Sequence, residues 1–501
     1  MDVGSGILLG LSAVLDLKIL FLLLLGSLIG TLVGALPGLG PSAGIALLLP
    51  LTFSLTPAEG LSFLVSIYAG CAFGGRITSI LLNIPGDSSA VVTCWDGYPM
   101  MKRGQGGLAM GISAFSSFIG GMISYIFLML ASPILAKWAL KFSAPEYFAM
   151  MLFGFAAIAG LSDRQFLKSI MMVLFGVMIA MIGIDTVSGF SRFVFADPLL
   201  EGIDFVAVII GVYGLGEVLY NVETSFKLNI DKNSIKMRNT FPSLADIKQN
   251  MGATLRGTTI GTLVGILPGA GSTIASLLAY STEKNLSKEP EKFGKGKVEG
   301  VASPEAANNA TVGGDLIPTL ALGIPGGGTT AVLLGALIIY GIQPGPRIFE
   351  TSADVVWTVI MGLFVSNIML LLLNTLLIPF FIRLMYYSQW YLNALITFLC
   401  VVGAFSLSYG TFDIWLTLIF GVIGYFFKKL DYPLGPFILA LVLTPIAENS
   451  FRQAMILGRG DYSIFLTRPI SLVILLMAVL LLLFPIFKKK KKKMQEEMEL
   501  G

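Results

Sequence analysis

"GTLVGALPGLG" occupies residues 30–40, and "GTLVGILPGAG" occupies residues 261–271. Nine of the eleven positions are identical, and the second copy begins 231 residues after the first. Each copy ends an apolar helical run on a Pro-Gly break. Pro37 and Pro268 lack an N–H and stop a helix. The glycines that follow, Gly38, Gly40, Gly269 and Gly271, accept backbone angles that other residues avoid. Each stretch therefore reads as a helix end, a tight bend and a new helix start.

A second motif is also duplicated. "GGRITSILLNIPGDSSAVV" (74–92) matches "GGDLIPTLALGIPGGGTTAVL" (313–333) with small insertions. Both run from a Gly pair through an apolar stretch to Ile-Pro-Gly, then a hydroxyl pair, then Ala-Val. The two motifs come in the same order in each half, so a two-part unit has been duplicated within the chain.

The surrounding sequence belongs in a bilayer. Of 501 residues, 55% are apolar and 13% charged, and mean hydropathy is +0.84; soluble domains carry roughly 25% charge. Runs such as 19–36 and 471–487 are about as long as a hydrocarbon core is thick. Their period is helical, which disfavours a β-barrel. Simple spans are read at 16–36, 58–81, 105–131, 143–161, 165–184, 203–220, 354–384, 391–409, 411–427, 432–447 and 466–487. The stretches 37–55, 82–100, 255–282 and 300–343 are too punctuated by Gly and Pro to read that way. No basic residue precedes the first apolar run, so no cleavable signal peptide is expected. Cys71, Cys94 and Cys400 are isolated, and histidine is absent. That combination excludes a disulfide framework, HExxH-type metal chemistry and histidine-based triads.

Positive charge orients the spans. The six-lysine tail, Lys428, Lys429 and Arg383 read as cytoplasmic, as does the loop 223–256 with Lys227, Lys232, Lys236 and Arg238. Arg164, Lys168, Lys102 and Arg103 then fall inside. The acidic loop 185–204 falls outside, as does Arg347. Lys137 and Lys141 are also left outside, against the rule. Lys102-Arg103 and Arg347 follow equivalent parts of the two units, so the units are expected to be inverted. Inverted repeats with broken helices place a transporter's substrate site near mid-membrane. Gly-rich helices also serve ordinary packing, but packing does not require Pro-Gly breaks followed by hydroxyls in both halves.

A helix starting inside the membrane exposes N–H groups that attract carboxylates, while carbonyls at the preceding helix end suit a hard cation. The substrate candidates are Gly38, Gly40, Ser42, Ser88, Gly269, Gly271, Ser272, Thr273, Asn308, Asn309 and Thr329. Asn83, Pro85, Asn309, Thr319 and Pro325 are the ion-site candidates. Arg76 is the alternative substrate clamp, since a guanidinium grips a carboxylate in a fork. In "SPEAANNATVGGD" (303–315), Glu305 and Asn309 share one helix face, as do Asn308 and Asp315. Ser303 and Pro304 read as a helix cap and first turn there, and 94–104 as a turn at the inner surface.

"GALPGLGPSAGIALLLPLTF", "GGRITSILLNIPGDSSAVVTCWDGYPMMKRG" and "SPEAANNATVGGDLIPTLALGIPGGGTTAVLLGAL" resemble the large membrane subunit of the tripartite tricarboxylate transporters, from about residue 15 to about residue 470. The resemblance implies an all-α polytopic membrane protein of roughly twelve spans in a prokaryotic inner membrane. Its expected function is ion-gradient-driven import of di- or tricarboxylates. The expected partners are a small membrane subunit and a periplasmic solute-binding protein, with no nucleic acid. No cofactor is expected beyond a coupling cation, Na⁺ or H⁺, and a homodimeric assembly stays open. "GKGKVEG" (294–300) is not a P-loop, in keeping with transport without ATP. A channel or exchanger is the rival reading, and an intramembrane enzyme a remoter one. The expected organisation is an N-terminal segment (1–15), a first repeat unit (16–135), intervening spans (143–220), a cytoplasmic loop (221–254), a second unit (255–384), C-terminal spans (385–487) and a basic cytoplasmic tail (488–501).

Overall fold

A computed structural model describes residues 3–36, 39–160, 166–185, 189–224, 242–377, 380 and 391–483. Pro37, Gly38, Arg164, Arg383, the loop lysines at 227, 232 and 236, Arg238 and the lysine tail lie outside the described residues. The first half contains α1 (Val3–Val14), α2 (Leu17–Ala35), α3 (Gly40–Leu48), α4 (Pro57–Leu82), α5 (Val91–Lys102) and α6 (Gly106–Ala139). Helices α7 (Ala144–Gly160) and α8 (Phe166–Ala180) follow. Next, α9 (Phe205–Ile209) runs through a π turn (Ile210–Leu215) into α10 (Gly216–Thr224). The second half contains α11 (Leu244–Ile266), α12 (Gly271–Leu286), α13 (Glu299–Leu322), α14 (Gly328–Ile339), α15 (Ile348–Thr351) and α16 (Ala353–Leu376). The chain continues through α17 (Leu392–Ser408), α18 (Phe412–Lys429), α19 (Leu434–Leu457), α20 (Ile464–Thr467) and α21 (Pro469–Leu483). The strands among the described residues are two-residue segments, Gly183–Ile184 against Ser191–Arg192.

Among the described residues, six helices can cross a membrane by length and composition: α2, α4, α6, the Phe205–Glu223 helix, α16 and α19. Shorter apolar helices, α3 and α14 among them, accompany these. The protein is an all-α polytopic membrane protein whose broken helices fall at the repeated motifs.

Local chemistry sets the helix boundaries. Asp16 accepts the Lys18 and Ile19 N–H groups at the start of α2. Thr56 and Glu59 form a capping box on α4, as Ser243 and Asp246 do on α11. α4 ends on Asn83 and α13 on Gly323, both left-handed, at φ 59° and 72°.

Two of the sequence expectations are corrected here. α13 is unbroken from Glu299 to Leu322, with Ser303, Pro304 and Pro318 inside it. Ser303 is thus no cap: its hydroxyl lies 3.4 Å from the Ala279 carbonyl of α12, and Ser276 of α12 donates to the Pro304 carbonyl at 3.3 Å. Neighbouring hydroxyls of this kind make intramembrane proline tolerable. Residues 94–102, read as a turn, are the body of α5. Asp96 there is buried and accepts the Tyr280 hydroxyl and the N–H groups of Gly294, Gly296 and Lys297, tying α5 to the loop before α13.

Within each half, two helices run parallel along a seam of glycines four residues apart. A Cβ on Gly30 of α2 would stand 2.5 Å from the Ile67 carbonyl oxygen of α4. One on Gly261 of α11 would stand 2.2 Å from that of Ala307 of α13. Between halves the direction reverses. Tyr68 of α4 donates to Asp315 of α13 at 2.9 Å, and Asn308 of α13 donates to the Ala72 carbonyl at 3.2 Å. Ascending α4 means descending α13, so the two units are inverted. Arg103 packs at the end of the bundle where α13 begins, near Gly296. Tyr340, just before Arg347, donates to Thr52 at the other end, at 2.6 Å.

Two outcomes test this architecture. Gln105→Cys and Glu350→Cys, each exposed, in a background lacking Cys71, Cys94 and Cys400, will react with an impermeant maleimide from opposite sides of the membrane. Gly261→Val will cost about 1–3 kcal/mol through overpacking and lower the folded yield on size-exclusion chromatography. Gly4→Val, with open space around its Cβ, will not.

Candidate functional site

Four breaks converge where the halves meet. α2 and α3 form a hairpin whose tip precedes Gly40, and α11 and α12 form its counterpart, with its tip at Leu267–Ala270. Gly40 and Gly271 open α3 and α12 with φ of 58° and 63°, angles at which a Cβ is strained. The segment after α4 doubles back until the Gly86 N–H reaches the Gly75 carbonyl at 3.4 Å. The segment after α13 does the same, laying Gly326 against Asp315 and Gly265. Gly326 in turn accepts the Gly269 N–H at 2.7 Å, binding loop to hairpin tip.

Hydroxyls join the two halves. Ser42 of the first hairpin lies 3.0 Å from Thr329 of the second loop. Ser88 of the first loop lies 2.7 Å from Thr273 of the second hairpin. Superposing the repeated motifs equates Ser42 with Thr273 and Ser88 with Thr329. The two bonds are therefore the same contact, made once in each direction across an approximate two-fold axis.

The starts of α3 and α12 share a feature with those of α6, α13, α16 and α19. Neither has a side-chain cap, whereas α2, α4 and α11 do. Their first-turn N–H groups at Ser42, Ser272 and Thr273 are thus not taken by a capping side chain, and such groups are the usual seat of a bound carboxylate. Ser42, Ser272, Thr273 and Thr329 are half-buried and Ser88 is exposed.

The structure brings Gly40, Ser42, Ser88, Gly269, Gly271, Ser272, Thr273 and Thr329 to this junction. The other candidates are committed elsewhere. Asn308 bonds to α4, and Asn309 donates to Ser117 of α6 at 2.8 Å and to the Glu305 carbonyl at 3.2 Å. Thr319 returns its hydroxyl to its own helix at the Asp315 carbonyl, 2.6 Å away. Asn83 is a helix end with an exposed side chain, while Pro85 and Pro325 shape the loops.

Arg76 is fully buried on α4, 5.1 Å from the Phe73 ring. Its three guanidinium nitrogens have no hydrogen-bond partner among the described residues. Glu305 offsets its charge across the interface and accepts from Thr93 at 2.5 Å and from Ser117 at 3.3 Å. The repeat-equivalent positions of Arg76 and Glu305 are Leu316 and Val65, one from each half. They line a small apolar cavity with Leu61, Leu320, Val355 and Val359.

Sequence reasoning missed Tyr213, Tyr68 and Asp87. The Tyr213 hydroxyl would lie 3.4 Å from a Cβ on Gly328, beside Ser42. It is carried there by the π turn, whose only sequence signal is the glycine-flanked "GVYGLG" (211–216). Asp87 holds the turn before α5, accepting the Ala90 N–H at 2.9 Å and the Ser89 hydroxyl at 2.7 Å.

Comparison with known proteins gives the family. Residues 20–439 match the family model described as "Tripartite tricarboxylate transporter TctA family". An Agrobacterium vitis protein described as an uncharacterized 52.8 kDa protein in the TAR-I ttuC' 3' region is 38% identical over 432 residues, 86% of each chain. A second A. vitis protein, from the TAR-II ttuC' 3' region, is 38% identical over 215 residues, covering 43% of this chain and 89% of its own. No solved structure matches. The chain belongs to the tripartite tricarboxylate transporter TctA family and is a membrane subunit of that transporter class.

Proposed function

We propose that this protein is the permease of an ion-gradient-driven secondary transporter. It imports di- or tricarboxylates, citrate-like anions, handed over by a periplasmic binding protein. It works with a small membrane subunit in a prokaryotic inner membrane, with its lysine tail in the cytoplasm. The observation that carries this reading is the pair of equivalent hydroxyl contacts, Ser42 with Thr329 and Ser88 with Thr273. Each of two uncapped helix starts meets the loop of the inverted unit there. An anion between them meets N–H groups and hydroxyls from both halves. Rocking one half against the other then exposes the same groups to either side. This favours alternating access over a continuous pore.

In proteoliposomes, labelled carboxylate will show counterflow against an unlabelled internal pool; a channel shows none. Gly271→Ala separates the two modes of holding the anion. Its Cβ meets nothing within 4 Å, so the variant folds, but the left-handed angle is penalised by about 1–2 kcal/mol. It will lower counterflow about tenfold, while Arg76→Gln lowers it less. Unchanged counterflow in Gly271→Ala together with a dead Arg76→Gln assigns the substrate to the guanidinium instead.

Membrane subunits alone will take up micromolar carboxylate poorly, and adding the binding protein will restore the rate. Full uptake without it removes the delivery step from the scheme.

A further inference from the structure

Asp315 is a motif residue whose chemistry the carboxylate site does not use. It is buried on α13, and only one of its oxygens is partnered: Oδ2 accepts the Tyr68 hydroxyl at 2.9 Å, while Oδ1 has no partner among the described residues. It lies directly beneath the junction. A Cβ on Gly327 would stand 3.3 Å from Oδ2, and Gly326 packs its backbone on the Asp315 Cα. The last turn of α11 closes the other side, where a Cβ on Gly265 would come within 3.0 Å of the Asp315 N. That is the C-terminal, negative end of a helix.

The duplicated unit supplies a comparison. Asp315 is equivalent to Gly75, and Gly327 is equivalent to Asp87. Each half thus places one carboxylate at the same junction, from the loop in the first half and from the helix in the second: a Cβ on Gly75 would lie 3.5 Å from Asp87 Oδ1. Asp87 is held at Oδ1 by the turn before α5. Among the described residues, Asp315 serves no such turn and pairs with no basic group, and Tyr68 is the titratable group bonded to it. Tyr125 of α6 and Asp87 act on Tyr68, and Arg76, two turns further along α4, is directed to Glu305.

We propose that Asp315 carries the coupling proton, at a site shared by the two repeats through Tyr68 and set against the loop that holds Thr329. The carboxylate takes one proton from water on the side from which substrate enters, at Oδ1, and releases it to water on the other side. Protonation removes a lone buried charge beside the end of α11 and turns the unpartnered acceptor into a donor. Gly327 approaches the carboxylate, and Gly265 and Gly326 pack on the Asp315 backbone and Cβ; close packing of this kind suits a proton better than a cation needing a shell of oxygens. This inference rests on the carboxylate-transport reading above.

The test uses the full chain reconstituted with its small membrane subunit and binding protein, with labelled citrate, malate and succinate as probes. Three regimes are compared: a proton gradient without Na⁺, a Na⁺ gradient without a proton gradient, and counterflow without either. The wild type will accumulate substrate on the proton gradient. Asp315→Asn will lose that accumulation about tenfold or more while keeping counterflow within about twofold of wild type, which also reports that it is folded. Tyr68→Phe will still accumulate, with half-maximal uptake moved to higher pH, because the ionised carboxylate loses its donor. Proton-driven accumulation by Asp315→Asn at the wild-type level overturns the proposal. So does loss of counterflow along with accumulation, or a wild type driven by Na⁺ alone. A wild type with neither accumulation nor counterflow of any probe overturns the carboxylate reading itself, and this proposal with it.

Discussion

Backbone contact along the two glycine seams is what the rest of the structure depends on. In lipid, apolar side chains gain little by leaving their surroundings, so helix association relies on close packing. Gly26, Gly30 and Gly34 let α2 lie on α4, and Gly257, Gly261 and Gly265 let α11 lie on α13. This close approach decides the height of each hairpin tip. Because Gly34 rests on Cys71, midway along α4, α2 must end inside the bundle. The Pro-Gly break follows there and α3 starts at that depth. The cross-repeat hydroxyl contacts form only because both seams stop at equivalent heights.

Charged groups divide according to whether the fold satisfies them. Asp96 is held by three backbone N–H groups and a tyrosine. Arg256 and Glu283 pair in a fork across the α11–α12 hairpin. Glu448 bridges Arg192 and Arg452 at the second, peripheral group of helices, and Arg468 reaches Glu146 there. These pairs brace elements whose places are set by packing. Arg76 and Asp315 differ, because burial has taken water from them without returning a full set of partners.

Much of this was legible in the sequence, for a physical reason. A duplicated Pro-Gly break leaves the same mark wherever it falls, and the charges beside it record which way each copy faces. The faces shared by Glu305 with Asn309, and by Asn308 with Asp315, also follow from helical spacing: the first pair meets Ser117 of α6 and the second meets α4. The straight run of α13 was not legible. Pro304 and Pro318 argue locally for interruption, and what overrides them is packing against α6, α11 and α12. Asn308 and Asn309 carry the composition of a ligand site, yet their amides serve helix contacts. Tyr68 and Tyr213 lie outside any motif and reach the junction only through tertiary placement.

The unequal furnishing of the two halves has a thermodynamic consequence. If inverted units were identical in sequence, exchanging their conformations would return the same molecule turned over, and its two end states would be isoenergetic. Here one of two equivalent sites between the halves holds Arg76 facing Glu305, where the other holds Leu316 and Val65 around an apolar cavity. Water admitted to the first position solvates charge; water admitted to the second wets hydrocarbon. On the alternating-access reading proposed above, the exchange runs between states of different free energy. A protein working that way has a preferred resting side, written into the pairs of residues at which the two copies have diverged.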